Sequence, residues 1–293
     1  MNYRKNHSIL EHHNKQNVST NRKCKLLLSS VSAIRDFMDN YILHQNGRLF
    51  TTPNSEIGIA PSIKQTLGSI ENCCKLGNFS DAFILLRKYR DDLFFCLYID
   101  AMYEDDKKTN DNKHFEEIES LWFPRDLTQK KQENSESLRI KRVGYQDCIK
   151  KIYSSVALSK IVNKYNLKTE LKCISDRLND FVHGNHTLNR NNTLCYNKLL
   201  DQYEDSELSE ICKNFVELLE YITVVFVFFN TLRSLDSIRA IDYIDSISFN
   251  TPIPNGSEYW VAPFIKKFFY KHASKLDENC ILYLKSTTGM LFD

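Results

Sequence analysis

Residues 221–229, Tyr-Ile-Thr-Val-Val-Phe-Val-Phe-Phe, form the most apolar run of the chain and belong in a buried environment. The run is too short to cross a bilayer, which takes about 20 apolar residues, and Glu217 and Glu220 precede it closely. We therefore expect it to be the middle of a long buried helix, from about Ser206 to Leu232, and we expect no membrane segment.

Turn-forming residues are scarce in this sequence. The 293 residues include 8 glycines and 6 prolines, which are too few for the many tight turns of a β-sandwich or barrel. A doubly wound α/β fold would need Gly-rich turns from strand to helix, and the sequence has none. These exclusions predict an all-α fold, a helical bundle with additional C-terminal helices and little or no β structure.

Apolar residues recur at helical spacing in much of the remaining chain. They predict further helices over residues 23–43, 61–76, 80–104, 145–163 and 168–182, and another that begins or kinks at Pro263. Gly77 and Ser80 separate two of these helices, since glycine suits a helix end and serine suits the cap of the next helix. The tail around Ile281 fits a helix or a strand.

The distribution of polar residues divides the chain into three parts. Residues 1–22 have few apolar anchors, so we expect a flexible N-terminal arm. Residues 23–235 are predicted to form the helical domain, with charged linkers near 104–118 and 126–137. Residues 236–293 are expected to be a C-terminal helical extension that packs on the same domain.

The nine cysteines, among them the adjacent pair Cys73 and Cys74, help to predict the cellular compartment of the protein. The polar start of the chain, Met1-Asn-Tyr-Arg-Lys-Asn-His7, does not resemble a signal peptide. We therefore predict reduced thiols, most of them in the core, in a cytoplasmic protein.

Charge is unevenly distributed, although the net charge is only +2. Residues 125–190 contain 14 basic and 7 acidic side chains, an excess of 7 positive charges. A basic region of this kind suits a polyanion such as RNA. Solvated helix faces are the alternative interpretation.

The segment Ser175-Asp-Arg-Leu-Asn-Asp-Phe-Val-His183-Gly184 contains the residues best suited to chemistry. Gly184 predicts that the helix ends at His183, which places the imidazole near solvent. Asn179 lies about 40° from His183 on an ideal helix, so it can fix the imidazole tautomer or bind the same phosphate. Arg177 lies about 120° from His183, so these two converge only if the helix unwinds or a second copy supplies one of them.

Arg177-x5-His183 at the end of a long helix resembles the motif of the HEPN family, an Arg and a His separated by four to six residues. Residues 77–92 also resemble an earlier HEPN helix that carries inward polar residues, and the likeness covers roughly residues 60–235. The resemblance implies a HEPN-like helical bundle that acts as a metal-independent endoribonuclease, a toxin or antiphage defence effector. It further implies RNA as substrate, a homodimer, no cofactor, and room for a partner protein or antitoxin.

The resemblance assigns roles to individual residues. His183 would take a proton from a ribose 2′-OH or give one to the leaving 5′-oxygen. Arg177 would neutralise charge on the scissile phosphate, with Asn179 as the third catalytic residue, and a 2′,3′-cyclic phosphate would result. The residues that would support the site or bind substrate are Asp180, Arg87, Arg90 and Asp91.

Structural roles are the alternatives for these side chains. His183 can cap helix-end carbonyls, Arg177 can pair with a neighbouring aspartate, and Arg87 can pair with Asp91 four residues on. A zinc site on His183 and its neighbours lacks the usual ligand spacing, so we expect no metal site. The aromatic residues from Trp260 to Tyr270 can stack on bases, although core packing suits them better.

Two other functions fit the same sequence. One is a non-catalytic HEPN-like helical module that binds a partner protein, a nucleotide or a nucleic acid in a defence system. The other is a helical protein that binds nucleic acid without cleaving it. Cleavage that His183→Ala abolishes would favour the ribonuclease, whereas RNA binding that survives this change without any cleavage would favour the last alternative.

Overall fold

The structure is a computed structural model, and it describes residues 12, 15–16, 18–19, 21–44, 59–109, 143–154, 156–182 and 205–293. From residue 22 onward, the described ranges contain ten α-helices: α1 (Arg22–His44), α2 (Ile59–Lys75), α3 (Phe79–Thr109), α4 (Tyr145–Ser154), α5 (Val156–Lys164), α6 (Leu167–Val182), α7 (Asp205–Arg233), α8 (Ile241–Ser248), α9 (Pro263–His272) and α10 (Cys280–Thr288). Three 3₁₀ helices, Leu235–Ser237, Ser257–Tyr259 and Ala273–Lys275, lie between the C-terminal helices. The described ranges contain two isolated β-bridges and no strand, which confirms the all-α prediction.

Helix α7 is the centre of the bundle and packs against α1, α3, α5 and α9. Every residue from 222 to 231 is buried, as predicted for the apolar run. By length and composition the stretch Leu208–Arg233 could cross a membrane, but 78% of its most apolar window is buried inside the bundle. This burial is typical of the core helix of a globular protein.

Polar side chains of α7 are hydrogen-bonded inside the core. The Thr223 hydroxyl donates to the Leu219 carbonyl oxygen at 2.8 Å, and the Tyr89 hydroxyl of α3 lies 3.0 Å from the Thr223 hydroxyl. The Tyr41 hydroxyl of α1 donates to Asn230 Oδ1 at 2.7 Å. These bonds join α1 and α3 to α7 and fix how the two helices sit on it.

The turn between α2 and α3 is set by two adjacent residues. Gly77 has a φ of 72°, and the Asn78 amide donates to the Cys73 carbonyl oxygen at 2.9 Å, which ends α2 as predicted. Ser80 is not the cap of α3, because the helix begins at Phe79. Asn78 has that role, since its side-chain oxygen accepts a hydrogen bond from the Asp81 amide.

Several predicted boundaries differ from the structure. Residues 145–163 form two helices, α4 and α5, where one was expected, and α3 continues to Thr109, into the linker predicted near 104–118. Pro263 begins α9, and α10 shows that the tail around Ile281 is helical. The rest of that linker, the linker near 126–137 and most of the arm 1–22 lie outside the described residues.

The C-terminal helices share the core of the bundle. Phe268 of α9 stacks on Phe37 of α1 with 3.8 Å between ring centres, and Phe269 meets Phe292 edge to face. The buried carboxylate of Glu220, on α7, forms an ion pair with Lys275, with 2.7 Å between Oε2 and Nζ. These contacts hold the last part of the chain against α1 and α7.

Candidate functional site

Helix α6 carries three of the predicted site residues, and its start is fixed by a left-handed asparagine. Asn166 has a φ of 48°, a conformation that asparagine tolerates better than most residues. Its side-chain oxygen accepts a hydrogen bond from the Thr169 hydroxyl at 2.9 Å. The chain therefore turns sharply after α5 and begins α6 at Leu167, one residue before the predicted start.

A buried stripe on α6 fixes the direction of its other side chains. Leu171, Ile174 and Leu178 are each at most 5% exposed. They share the face that packs against α3 and α5. Side chains on either side of this stripe must therefore leave the helix in two different directions.

Arg177 and Asn179 lie on opposite flanks of the buried stripe. They are two positions apart along the helix, so their side chains diverge by about 160° around an ideal helix. Asn179 is half-buried and lines a cavity between α4 and α6, whereas Arg177 is half-buried and does not line it. Within one chain, Arg177 is thus directed away from the cavity that Asn179 lines.

His183 is the central residue of the predicted site, and it lies outside the described residues, as does Gly184. Helix α6 ends at Val182, and Asp180 is half-buried near that end. The catalytic roles of Arg177 and His183 therefore stay a prediction.

The cavity between α4 and α6 has a volume of about 300 Å³. One wall is the outer face of α6 and the other is a face of α4, so the two walls differ in chemistry. The α6 wall is polar and consists of Lys168, Leu171, Lys172, Ser175, Asp176 and Asn179. The α4 wall is aromatic and apolar at its centre and consists of Tyr145, Gln146, Ile149 and Tyr153.

Arg90 of α3 lies behind the aromatic wall. It is 1% exposed, and its guanidinium carbon lies 3.9 Å from the centre of the Tyr145 ring. Its Nε and Nη2 atoms donate to Asp91 Oδ1 at 2.9 and 2.7 Å, whereas Nη1 has no hydrogen-bond partner among the described residues. Phe94 packs edge-on against the same tyrosine ring. Arg90 and Asp91 therefore support one wall of the cavity from inside the protein.

Arg87 lies one turn before Asp91 on α3 and forms the intrahelical ion pair. Its Nε atom is 4.0 Å from Asp91 Oδ2, and both side chains are about one-third exposed, at 31% and 38%. An exposed pair of this length contributes little to stability. None of the three α3 residues predicted for the site lines the cavity, but the Arg90 guanidinium contacts the ring of Tyr145, which does.

The two tyrosines of the cavity are neutral at physiological pH. Burial raises the pKa of Tyr145, although the nearby Arg90 cation opposes this, and burial raises the pKa of Tyr153 to about 12. The Tyr145 hydroxyl is buried and has no hydrogen-bond partner among the described residues. The rings of both tyrosines can stack on a ligand, but neither phenol is an effective general base at neutral pH.

Positive charge on the α6 wall is available to a ligand. Lys168 and Lys172 are exposed and form no ion pair with any other described residue. The Lys168 ammonium lies 5.5 Å from the centre of the Tyr153 ring, a weak cation–π contact across the cavity. The carboxylate on the cavity wall is Asp176, which leaves the lining with a net positive charge.

A metal centre is not visible in the part of the chain that the structure describes. No group of three or more His, Cys, Asp or Glu side chains in that part is placed to hold an ion. A zinc site around His183 would draw on His186 and Cys173. Cys173 is exposed and belongs to the described part, whereas both histidines fall outside it.

Sequence reasoning missed the aromatic wall and the position of two lysines on the opposite wall. Lys168 and Lys172 had contributed only to the excess of charge, although their i,i+4 spacing places them on the face of Asn179. Tyr145 and Tyr153 are eight residues apart, a spacing that also returns to one helix face. The spacing that places these side chains on one helix face was present in both helices, but nothing in the sequence indicated that the two faces meet.

Comparisons with known proteins do not identify a family: no protein-family model matches the chain, and no curated protein or solved structure matches it. The likeness to HEPN domains therefore stays a resemblance in the motif.

Proposed function

We propose that the protein is a metal-independent endoribonuclease of HEPN type that cleaves RNA at the C-terminal end of α6. His183 would move the proton between the ribose 2′-OH and the leaving oxygen, and Asn179 would hold the imidazole or the phosphate. Cleavage by the 2′-OH of the substrate itself leaves a 2′,3′-cyclic phosphate and needs neither metal nor cofactor.

The observation that carries the proposal is the position of Asn179. It lines a cavity whose α6 wall also presents two lysines without ion pairs to described residues, and it comes four residues before His183. A phosphodiester chain bound along these lysines would pass the end of the helix where His183 follows. Proton-transfer and anion-binding groups would then act on the same polyanion.

Arg177 enters the proposal through a second copy of the chain. On its own α6 it is directed away from the Asn179 face, so it would stabilise the phosphate bound by a partner in a homodimer. In a two-fold dimer each copy can give its Arg177 to the other site, which makes both sites complete. A cytoplasmic toxin or antiphage effector regulated by a partner protein or antitoxin is the setting we propose for such an enzyme.

The direct test is cleavage of total RNA by the purified chain in excess EDTA. We expect cleavage by the wild type and none by His183→Ala. The matched control is His12→Ala, because His12 is an exposed histidine outside the proposed site. Equal cleavage by wild type and His183→Ala, or cleavage that requires added metal, would refute the proposal.

A non-catalytic module that binds a nucleotide is the second candidate. The cavity volume of about 300 Å³ favours it, because this is near the lower end of the range for small-molecule sites. Under this alternative the chain would bind a mononucleotide tightly, and wild type and His183→Ala would be equally inactive on RNA.

A further inference from the structure

We infer that the cavity between α4 and α6 is a binding site for one nucleotide of single-stranded RNA, with its phosphates on α6 and its base against α4. The inference deepens the proposed function and rests on it for the choice of RNA as the ligand. The site itself is argued from the two cavity walls, which hold different and complementary groups.

The α6 wall forms a polar track along the helix. Lys168, Lys172, Ser175 and Asn179 follow one another at spacings of four, three and four residues, so they share one helix face. The track starts with two cations and ends with an amide. Lysine binds phosphate as a point charge, and an amide can donate to a phosphate or to a base edge. The track therefore fits the backbone of a nucleotide.

The α4 wall offers flat apolar surface on the opposite side. Tyr145, Ile149 and Tyr153 recur every four residues along α4, which spans about 12 Å from first to last. Aromatic side chains bind bases by stacking, which works for every base because each has a π face. The sugar and phosphate of the same nucleotide would then lie toward α6.

Arg90 makes the aromatic wall rigid. Its guanidinium lies against the Tyr145 ring, and Phe94 packs edge-on against that ring, so Tyr145 is held in place before any ligand arrives. A wall that is already ordered loses little side-chain entropy when a base stacks on it. Support of the Tyr145 ring would explain why a charged side chain, Arg90, is only 1% exposed on a helix that otherwise forms the core.

The shape of the site favours a single strand. Bases in a duplex are stacked and paired inside the helix, whereas unpaired bases can be splayed out onto aromatic side chains. A cavity of about 300 Å³ between two helices admits one such base and excludes a duplex. The bound strand would continue past Asn179 toward the C-terminal end of α6.

The test measures binding in the full chain with His183→Ala, so that substrate is not consumed. A fluorescein-labelled single-stranded oligouridylate is titrated by anisotropy, and Lys168→Gln/Lys172→Gln is compared with Lys267→Gln. Lys267 is an exposed lysine of α9 and does not line the cavity, so its replacement measures the effect of losing one surface charge away from the cavity. Thermal unfolding verifies that all variants are folded.

We expect the double lysine variant to bind at least tenfold more weakly than the Lys267→Gln control. Its slope of log affinity against log salt should be smaller by about 1.4, since each lost phosphate contact to a single strand accounts for about 0.7. Tyr153→Ala should weaken binding about tenfold, whereas Tyr153→Phe, which retains the ring, should bind like the parent.

Three results would overturn the inference. One is a double lysine variant that binds the oligonucleotide as well as Lys267→Gln does. Another is competition by double-stranded RNA that equals competition by single-stranded RNA. The last is uridine monophosphate that binds at least as tightly as the oligonucleotide, which would make the cavity a site for free nucleotides. This assay measures binding and does not depend on cleavage. It can therefore be interpreted even if the chain proves not to be a ribonuclease.

Discussion

The guanidinium carbon of Arg90 lies 3.9 Å above the centre of the Tyr145 ring, and it links the core helix α3 to the aromatic wall of the cavity. Arg90 is almost fully buried, and its bonds to Asp91 satisfy two of its nitrogen atoms. The pair therefore couples the stability of the bundle to the shape of the proposed RNA site.

Removal of the Arg90 side chain is expected to destabilise the protein. Arg90→Ala should lower the free energy of unfolding by about 3 kcal/mol, because it leaves a cavity and removes the cation–π contact. Tyr145→Phe should change it by less than about 1 kcal/mol, since the ring remains and the lost hydroxyl has no partner among the described residues. Urea denaturation followed by circular dichroism measures both. An Arg90→Ala variant as stable as Tyr145→Phe would contradict this account of the pair.

The hydrogen bond between Tyr89 and Thr223 predicts that mutation of its two partners destabilises the protein to different extents. The Thr223 proton is donated to the Leu219 carbonyl, so Tyr89 must be the donor to Thr223. Tyr89→Phe removes one donor and should cost about 1 kcal/mol. Thr223→Val should cost more, about 2 kcal/mol, because it leaves the buried Tyr89 hydroxyl without its acceptor. Denaturant titration of both variants tests the order, and a larger loss for Tyr89→Phe would show that the donor assignment is wrong.

Buried histidines predict that stability falls in mild acid. Burial lowers the pKa of His44 below its usual 6.5, so the unfolded chain binds a proton at a higher pH than the folded chain does. The free energy of unfolding should therefore decrease as pH falls below about 6.5, by up to about 1.4 kcal/mol per pH unit and proton. Burial also lowers the pKa of His272, which adds to the same trend.

Replacement of His44 by phenylalanine isolates its share of this effect. His44→Phe should reduce the loss of stability between pH 7 and pH 5 and retain the edge-on packing against Phe264. The control for loss of a histidine is His12→Gln, at an exposed position outside the core. Equal pH dependence in the wild type and in His44→Phe would mean that folding does not lower the pKa of His44.

The sequence was sufficient for the parts of the fold that depend on local patterns. The run from Tyr221 to Phe229 indicated a buried helix, and Gly77 indicated the end of α2, because both signals lie within a few neighbouring residues. Asn78 was overlooked as the cap of α3, since Ser80 suits the same role and spacing alone does not rank them.

The candidate site was less predictable because it depends on contacts between distant helices. Asn179 was selected from its spacing to His183, and the structure places it in a cavity. The partner wall begins 34 residues earlier at Tyr145, and only the packing of α4 and α6 on α3 brings the two together. Similarly, the resemblance assigned Arg90 to the site, but its contact with Tyr145 requires the fold.

The opposite directions of Arg177 and Asn179 predict that activity can be restored by mixing two inactive variants. Arg177→Ala and His183→Ala should each be inactive alone. In a mixed dimer, one site receives an intact Arg177 and an intact His183 from different copies, so random mixing should restore about a quarter of wild-type activity. RNA cleavage after joint refolding, with the dimer verified by sedimentation, measures it. A dimeric mixture that stays inactive would contradict the exchange of Arg177 between copies.

The most direct test of the central claim is the chemistry of the cleaved end. The wild-type chain is incubated in EDTA with an oligoribonucleotide, and with the same oligonucleotide carrying a 2′-deoxy sugar at the mapped cleavage position. The account predicts cleavage of the first only, a 2′,3′-cyclic phosphate on the product by mass spectrometry, and no product with His183→Ala. Cleavage of the deoxy substrate, a 3′-hydroxyl product, or full activity of His183→Ala would contradict it.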